Sequence, residues 1–193
     1  MVNATMLVAH RIIVMALRLF LAIPVPASIA DRLATLESDV PGASWRTADQ
    51  YHLTLRFIGE VDEAVARDID TEVGRIVAAS FEIALQGVGS FGGREPSALW
   101  AGVSYCPALI RLAGACETAI RNAGIPPEPR RYKPHVTVAY LHGTRDVEVA
   151  HFLSDAAEFR TEAFIVDHFC MYSSRATRAG SHYVEEAVYP LTG

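Results

Sequence analysis

Two short stretches share one arrangement of chemically useful side chains: Tyr51-His52-Leu53-Thr54-Leu55 and Pro134-His135-Val136-Thr137-Val138. Each places a histidine two positions before a threonine, with an aliphatic residue between and another after. In a β-strand successive side chains point to opposite faces, so His52 and Thr54 share one face while Leu53 and Leu55 enter a core, and the second copy does the same. An imidazole titrates near neutrality and can give or take a proton, with an ordinary pKa of about 6.5. A threonine hydroxyl can donate to an oxyanion. Two such strands facing each other would surround a phosphate. The nearby oxygens of that phosphate gain charge as a nucleophile attacks, and hydroxyl donors stabilise that charge.

Opening a cyclic phosphodiester needs a base for the attacking water and an acid for the departing oxygen, and two opposed histidines supply both. The scheme needs no metal and no cofactor. A zinc site normally takes three or four His, Cys or carboxylate ligands, and neither strand offers the others. Either copy alone reads as a structural histidine on a strand; the repetition in matching context makes the pair functional. His142-Gly143-Thr144 has the same outer spacing, but glycine in the middle and Arg145-Asp146 behind it mark a turn.

Cations cluster before the second copy, at Arg130, Arg131 and Lys133. Arg131 and Lys133 are candidate phosphate or RNA-backbone ligands, and the bland reading of all three is a solvated loop. Arg56 falls on the Thr54 face if the strand alternates regularly, or is a surface charge at the strand end. Trp45, Phe91, Trp100 and Tyr140 could stack on a base, although aromatic residues in strands more often pack in cores.

The elements that must hold these residues follow from periodicity. Arg18 to Val25 reads as a core strand, and Pro26 opens a helix carrying Ile29, Leu33 and Leu36. Tyr51 to Ile58 is a strand. Asp62 caps a helix with apolar positions Val65, Ile69, Val73, Ile76 and Val77. Phe81 to Leu85 and Ala98 to Val103 read as strands, with glycine-rich 87–96 a flexible loop between them that could overhang a site. Pro107 to Ala123 is helical with Gly124 as its left-handed stop. His135 to Leu141 is a strand, Val147 to Ala157 a short helix. Phe164 to Tyr172 and His182 to Val188 form a hairpin across a polar turn at 173–181. Without glycine-rich phosphate loops this pattern is α+β with mostly antiparallel pairing.

The 193 residues fit one compact domain. A formal charge of −5 argues against coating duplex nucleic acid, which needs a broad basic face. Three cysteines without CxxC spacing suit a reducing cytoplasm. The apolar run Ile12 to Val25 imitates a signal peptide, but Arg18 interrupts it and the same residues read as a strand. No uncharged apolar run reaches membrane-helix length, so no membrane association is expected. Met15 could be the true start, with residues 1–14 an upstream extension; the expected organisation is an N-terminal extension over 1–17 and a single domain over 18–193.

At these residues the chain resembles the two-histidine phosphoesterases, and within them the RNA 2′,3′-cyclic phosphodiesterase (2′-5′ RNA ligase, LigT-like) family. The stretches carrying the likeness are Arg18-Leu-Phe-Leu-Ala-Ile, Trp45 before His-Leu-Thr-Leu-Arg-Phe-Ile-Gly, Ser97-Ala-Leu-Trp-Ala-Gly-Val, Arg131-Tyr-Lys-Pro-His-Val-Thr-Val-Ala, and Tyr172-Ser-Ser through Gly180-Ser-His-Tyr. They fall in the family's order over residues 18 to 191. The resemblance implies a bilobal fold with a central cleft between two pseudo-symmetric lobes and helices outside. It implies hydrolysis of RNA 2′,3′-cyclic phosphate ends to 2′-phosphates, with His135 as base, His52 as acid, and Thr54 and Thr137 on the phosphate. Expected partners are RNA 3′ ends or short oligonucleotides, including transfer-RNA halves, for a monomer that could also ligate in reverse. Two other functions fit the residues: a phosphodiesterase for small cyclic nucleotides, and a non-catalytic phosphate-end binding module.

Overall fold

Several strands of the main sheet end where the sequence breaks the run: β1 at Pro24, β3 before Asp62-Glu63 and β5 before Gly92. In the computed structural model, which describes residues 17–177 and 180–192, the chain runs through β1 (Leu17–Pro24), α1 (Ala27–Ala34), β2 (Ala43–Trp45), a 3-10 turn (Ala48–Gln50) and β3 (His52–Val61). It continues with α2 (Glu63–Val73), β4 (Phe81–Ile83), β5 (Leu85–Phe91), β6 (Ala98–Val103), α3 (Pro107–Asn122) and β7 (His135–Leu141). The last elements are α4 (Asp146–Asp155), β8 (Phe164–Val166), β9 (His168–Thr177) and β10 (Gly180–Pro190).

The expected α+β architecture is present, with every named strand pair antiparallel. The main sheet has the order β10-β9-β1-β3-β7-β6-β5, with β2 beside β7, and β4 and β8 form a separate two-stranded ribbon. Its two halves meet at β3 and β7 through a single paired position, Leu53 opposite Val136. These are the middle residues of the two repeated motifs. Both are fully buried, and they belong to one core with Leu21, Ile23, Leu109, Leu112, Cys116 and Ile120, where α3 packs under β3 and against α2. Each such Leu or Ile side chain contributes roughly 1.5–3 kcal/mol by leaving water.

The helix signals are borne out where they are local. The Asp62 carboxylate accepts from the Val65 N–H at 2.9 Å, and Gly124 ends α3 at φ 88°. The helix after Asp62 is shorter than its apolar spacing indicates: it stops at Val73, and Val77 is 85% exposed. Gly74 lies at its C-terminus, and a glycine costs about 1 kcal/mol relative to alanine in a helix interior.

Two other expectations need correction. Phe81 to Leu85 is not one strand: the chain breaks at Ala84, sending β4 to β8 and β5 to β6. The first half of the glycine-rich stretch is strand, because Gly87 to Phe91 belong to β5. Gly89 is required there, since a Cβ would lie 2.1 Å from the Trp100 ring across the pair. Likewise the final hairpin does not start at Phe164; β8 is separate, and β9 and β10 extend through most of the stretch expected to turn. Positions 178–179 of the expected turn lie outside the described residues. So do residues 1–16 of the expected extension, whereas Leu17 is already in β1. Among the described residues no helix is long and apolar enough to cross a membrane.

Candidate active site between β3 and β7

The meeting of Leu53 with Val136 fixes the site. In that antiparallel register the His52 end of one motif lies towards the Thr137 end of the other, and Thr54 towards His135. The four polar side chains occupy the face opposite the helices. All four are partly buried, and neither threonine hydroxyl is bonded to a described residue.

Both histidines are oriented by the same device. The Nδ1–H of His52 donates to the Gln50 carbonyl at 2.9 Å, and that of His135 to the Lys133 carbonyl at 2.7 Å. A carbonyl can only accept, so each ring carries its proton on Nδ1 when neutral and presents a free Nε2 lone pair. The backbone two residues upstream of each histidine thereby fixes the tautomer a general base needs.

Aromatic rings set the remaining freedom. His52 lies against Phe20, centroids 4.8 Å apart, and edge-on to Tyr183 at 4.9 Å. His135 meets Phe91 edge-on at 4.8 Å and Trp100 at 6.2 Å. The end of the β9–β10 hairpin is drawn over the first histidine by Gln50, whose amide donates to the Ser181 carbonyl at 3.1 Å.

These surroundings favour the neutral imidazoles. Burial lowers the His52 pKa to about 4; the Gln50 carbonyl opposes this, and the charges of Arg46 and His135 add to it. His135 is lowered in the same direction, by burial first, with the Lys133 carbonyl opposing and the Lys133 ammonium adding. An anion placed between the two rings would reverse both effects, since an opposite charge favours the protonated form.

Other expected residues divide. The Lys133 ammonium lies 3.9 Å from the Trp100 ring centroid and 5.4 Å from that of Phe91, the two rings that flank His135. Arg131 is exposed on the approach loop and has no hydrogen bond to either motif. Arg130 is engaged elsewhere, by Glu128 at 2.7 Å. Among the aromatics, Phe91 and Trp100 flank His135, Tyr140 stands under Arg46, and Trp45 packs against Phe152, away from the motifs. His142-Gly143-Thr144 is the expected turn, with Gly143 at φ 66°.

Arg56 is not on the Thr54 face. A one-residue bulge at Leu55 shifts the pairing from Thr54 opposite Ala22 to Arg56 opposite Leu21, so Arg56 turns to the helix side. There it is 7% exposed, with its Nε donating to Glu117 at 2.5 Å and an Nη to the Pro126 carbonyl at 2.7 Å; Glu128 lies at 3.7 Å. β7 carries the matching irregularity: Val138 is skipped just after Thr137 in its pairing with β6. Arg56 thus ties the first motif to the loop that leads into the second. Tyr132 adds a second tie, its hydroxyl donating to the Thr54 carbonyl at 3.2 Å.

The family model described as the 2′-5′ RNA ligase superfamily matches residues 25–178. The chain belongs to that superfamily. It is 31% identical over 159 residues to an RNA 2′,3′-cyclic phosphodiesterase of Aeropyrum pernix, covering 79% of this chain and 90% of the relative. A protein of the same name from Escherichia coli K12 is 27% identical over 186 residues, with 91% and 97% covered. Among solved structures, E. coli LigT complexed with 3′-AMP superposes with a TM-score of 0.76 at 25% identity, covering 92% of this chain and 99% of that one. Among the described residues no three His, Cys, Asp or Glu side chains converge as metal ligands.

Phe20, Tyr183, Tyr132, Arg46 and the carbonyls of Gln50 and Lys133 were not singled out from sequence as site groups. Carbonyls leave no sequence signal, because every residue has one. Tyr132 and Tyr183 sit within stretches that carry the family likeness, which marked the region but not the role.

Proposed function

We propose that this chain hydrolyses RNA 2′,3′-cyclic phosphate ends to 2′-phosphates without a metal. His135 takes the proton of the attacking water and His52 protonates the departing 3′ oxygen. Thr54 and Thr137 donate to the non-bridging oxygens as charge develops on them. Lys133, and Arg131 with it, attract the RNA backbone near the second histidine. The substrates are RNA 3′ ends or short oligonucleotides, transfer-RNA halves among them, and the working unit is a monomer acting in the cytoplasm.

The observation that carries the reading is the pair of Nδ1–H bonds to backbone carbonyls, which leaves two free Nε2 atoms on one face of the sheet. A histidine kept only to hold an anion has no need of a neutral tautomer with a free lone pair, so the geometry favours proton transfer over simple binding. The relatives' shared name, RNA 2′,3′-cyclic phosphodiesterase, supports the same substrate class.

A 2′,3′-cyclic nucleotide incubated with the protein in excess EDTA tests it, with the product resolved as 2′- or 3′-phosphate. A 2′-phosphate formed at an undiminished rate is expected. Binding without turnover, or activity that returns only on adding a divalent ion, overturns the proposal.

A further inference from the structure

Arg46 follows β2 and precedes the 3-10 turn that leads into the first motif. Its backbone N–H donates to the Val138 carbonyl at 2.9 Å, so it is pinned beside the β7 bulge. From there its guanidinium reaches over the Tyr140 ring, 5.2 Å from the centroid. Nη2 is shielded from solvent and has no hydrogen-bond partner among the described residues. Arginine stays charged at any working pH and carries five donors, so a shielded, unengaged Nη2 is costly unless an acceptor arrives.

The acceptor needs to be an anion, and the surroundings indicate where it sits. Arg46 is bonded to Val138, next to Thr137, and Thr137 lies towards His52 in the register, so Arg46 stands on the His52 side of the site, where its charge helps to lower the His52 pKa. The scissile phosphate already has two imidazoles and two threonine hydroxyls around it. Tyr140, the ring on which Arg46 rests, is three residues beyond Thr137 in β7, roughly 10 Å along an undistorted strand and somewhat less across the bulge. The guanidinium, resting on that ring, therefore stands beyond the Thr137 end of the motif side chains, where a neighbouring phosphate of an RNA chain would approach. A planar guanidinium matches two phosphate oxygens at once, and its other face stays on the tyrosine ring.

We propose that Arg46 binds the phosphodiester immediately preceding the terminal nucleotide, and so makes the protein prefer the end of an RNA chain to a free cyclic nucleotide. This inference rests on the proposed cyclic-phosphate reading of the same cleft. A chain of net charge −5 has little general attraction for RNA, so one fixed cation in register with the second phosphate has a large share in that preference.

The test compares 2′,3′-cyclic AMP with a dinucleotide ending in a 2′,3′-cyclic phosphate, for wild type, Arg46→Ala and Arg46→Lys. In Arg46→Ala the ratio of kcat/KM between dinucleotide and mononucleotide falls about tenfold or more, mainly through KM, and Arg46→Lys recovers part of it. For the dinucleotide, the slope of log kcat/KM against log salt becomes shallower by about 0.7, the value for one phosphate contact on a single strand. A neutral methylphosphonate in place of the internal phosphate, used with wild type, reproduces the loss without touching the fold. Equal losses on both substrates, or an unchanged ratio, overturn the inference. Affinity for a dinucleotide bearing a 2′-phosphate, with and without the neutral linkage, requires no turnover. If the protein proves not to be an esterase the proposed function falls, and that affinity ratio alone still decides the role of Arg46.

Discussion

His52 makes stability depend on pH in a way that can be measured apart from catalysis. Its pKa falls to about 4, chiefly through burial, whereas in an unfolded chain an imidazole titrates near 6.5. Between those values the unfolded chain binds a proton that the folded one refuses, so stability falls as pH is lowered from about 6.5 and levels off, on this account, below about 4. At about 1.4 kcal/mol per pH unit the full effect is about 3 kcal/mol, and about 2 once the ring's partial contact with solvent is allowed for. His52→Gln removes the titration and keeps a side chain of similar size. Urea unfolding of both proteins at pH 7.5, 5.5 and 4.5 isolates the term, because the carboxylates and other histidines are common to both. The stability difference should move by about 2 kcal/mol in favour of the variant between pH 7.5 and 4.5. A difference that stays constant with pH would refute the burial argument, and with it the claim that His52 rests neutral in the free protein.

The same electrostatics shape turnover: with both imidazoles lowered by burial, kcat/KM should peak below pH 6.5, while kcat peaks nearer neutrality because the bound phosphate favours the protonated rings. Matching profiles for the two parameters would show that the substrate's charge does not act on the histidines. His52→Ala and His135→Ala should each lower kcat at least 10²-fold, the low end for loss of one proton transfer. Thr54→Val and Thr137→Val, which keep the shape and remove the hydroxyl, should each cost about 2–4 kcal/mol of transition-state stabilisation in kcat/KM assays, as for other oxyanion donors. Arg56→Met should destabilise the fold by about 2–4 kcal/mol in chemical denaturation, at or below the usual cost of breaking a buried ion pair because Glu117 and Glu128 retain some contact with water. An Arg56→Met protein as stable as wild type would mean that the tie between the two motifs is dispensable.

Much of this site was legible because its key residues repeat. His52 and Thr54, and His135 and Thr137, announce themselves by type and spacing, and strand alternation correctly puts them on the face opposite Leu53 and Val136. Alternation fails at Arg56 because a bulge adds one residue, and a rule of period two has no way to register an insertion that the sequence does not mark. Helix ends were readable where a local signal exists, as at Asp62 and Gly124, and misread where Ile76 and Val77 continued an apolar spacing past Gly74. Phe81 to Leu85 misled for a related reason: the residues alternate without a break, but the two ends pair with different strands.

The two bulges also bear on how the site is built. Each follows directly after its threonine, at Leu55 and at Val138, and a bulged strand bends and twists more sharply than a regular one. Because β3 and β7 pair only at Leu53 and Val136, both strands are free to diverge on either side of that point. The bend after each motif turns the next residue away from the cleft, and Arg56 then uses that turn to hold α3 and the loop before β7. The irregularity that defeats the sequence rule thus sits, on both strands, immediately beyond the four motif side chains.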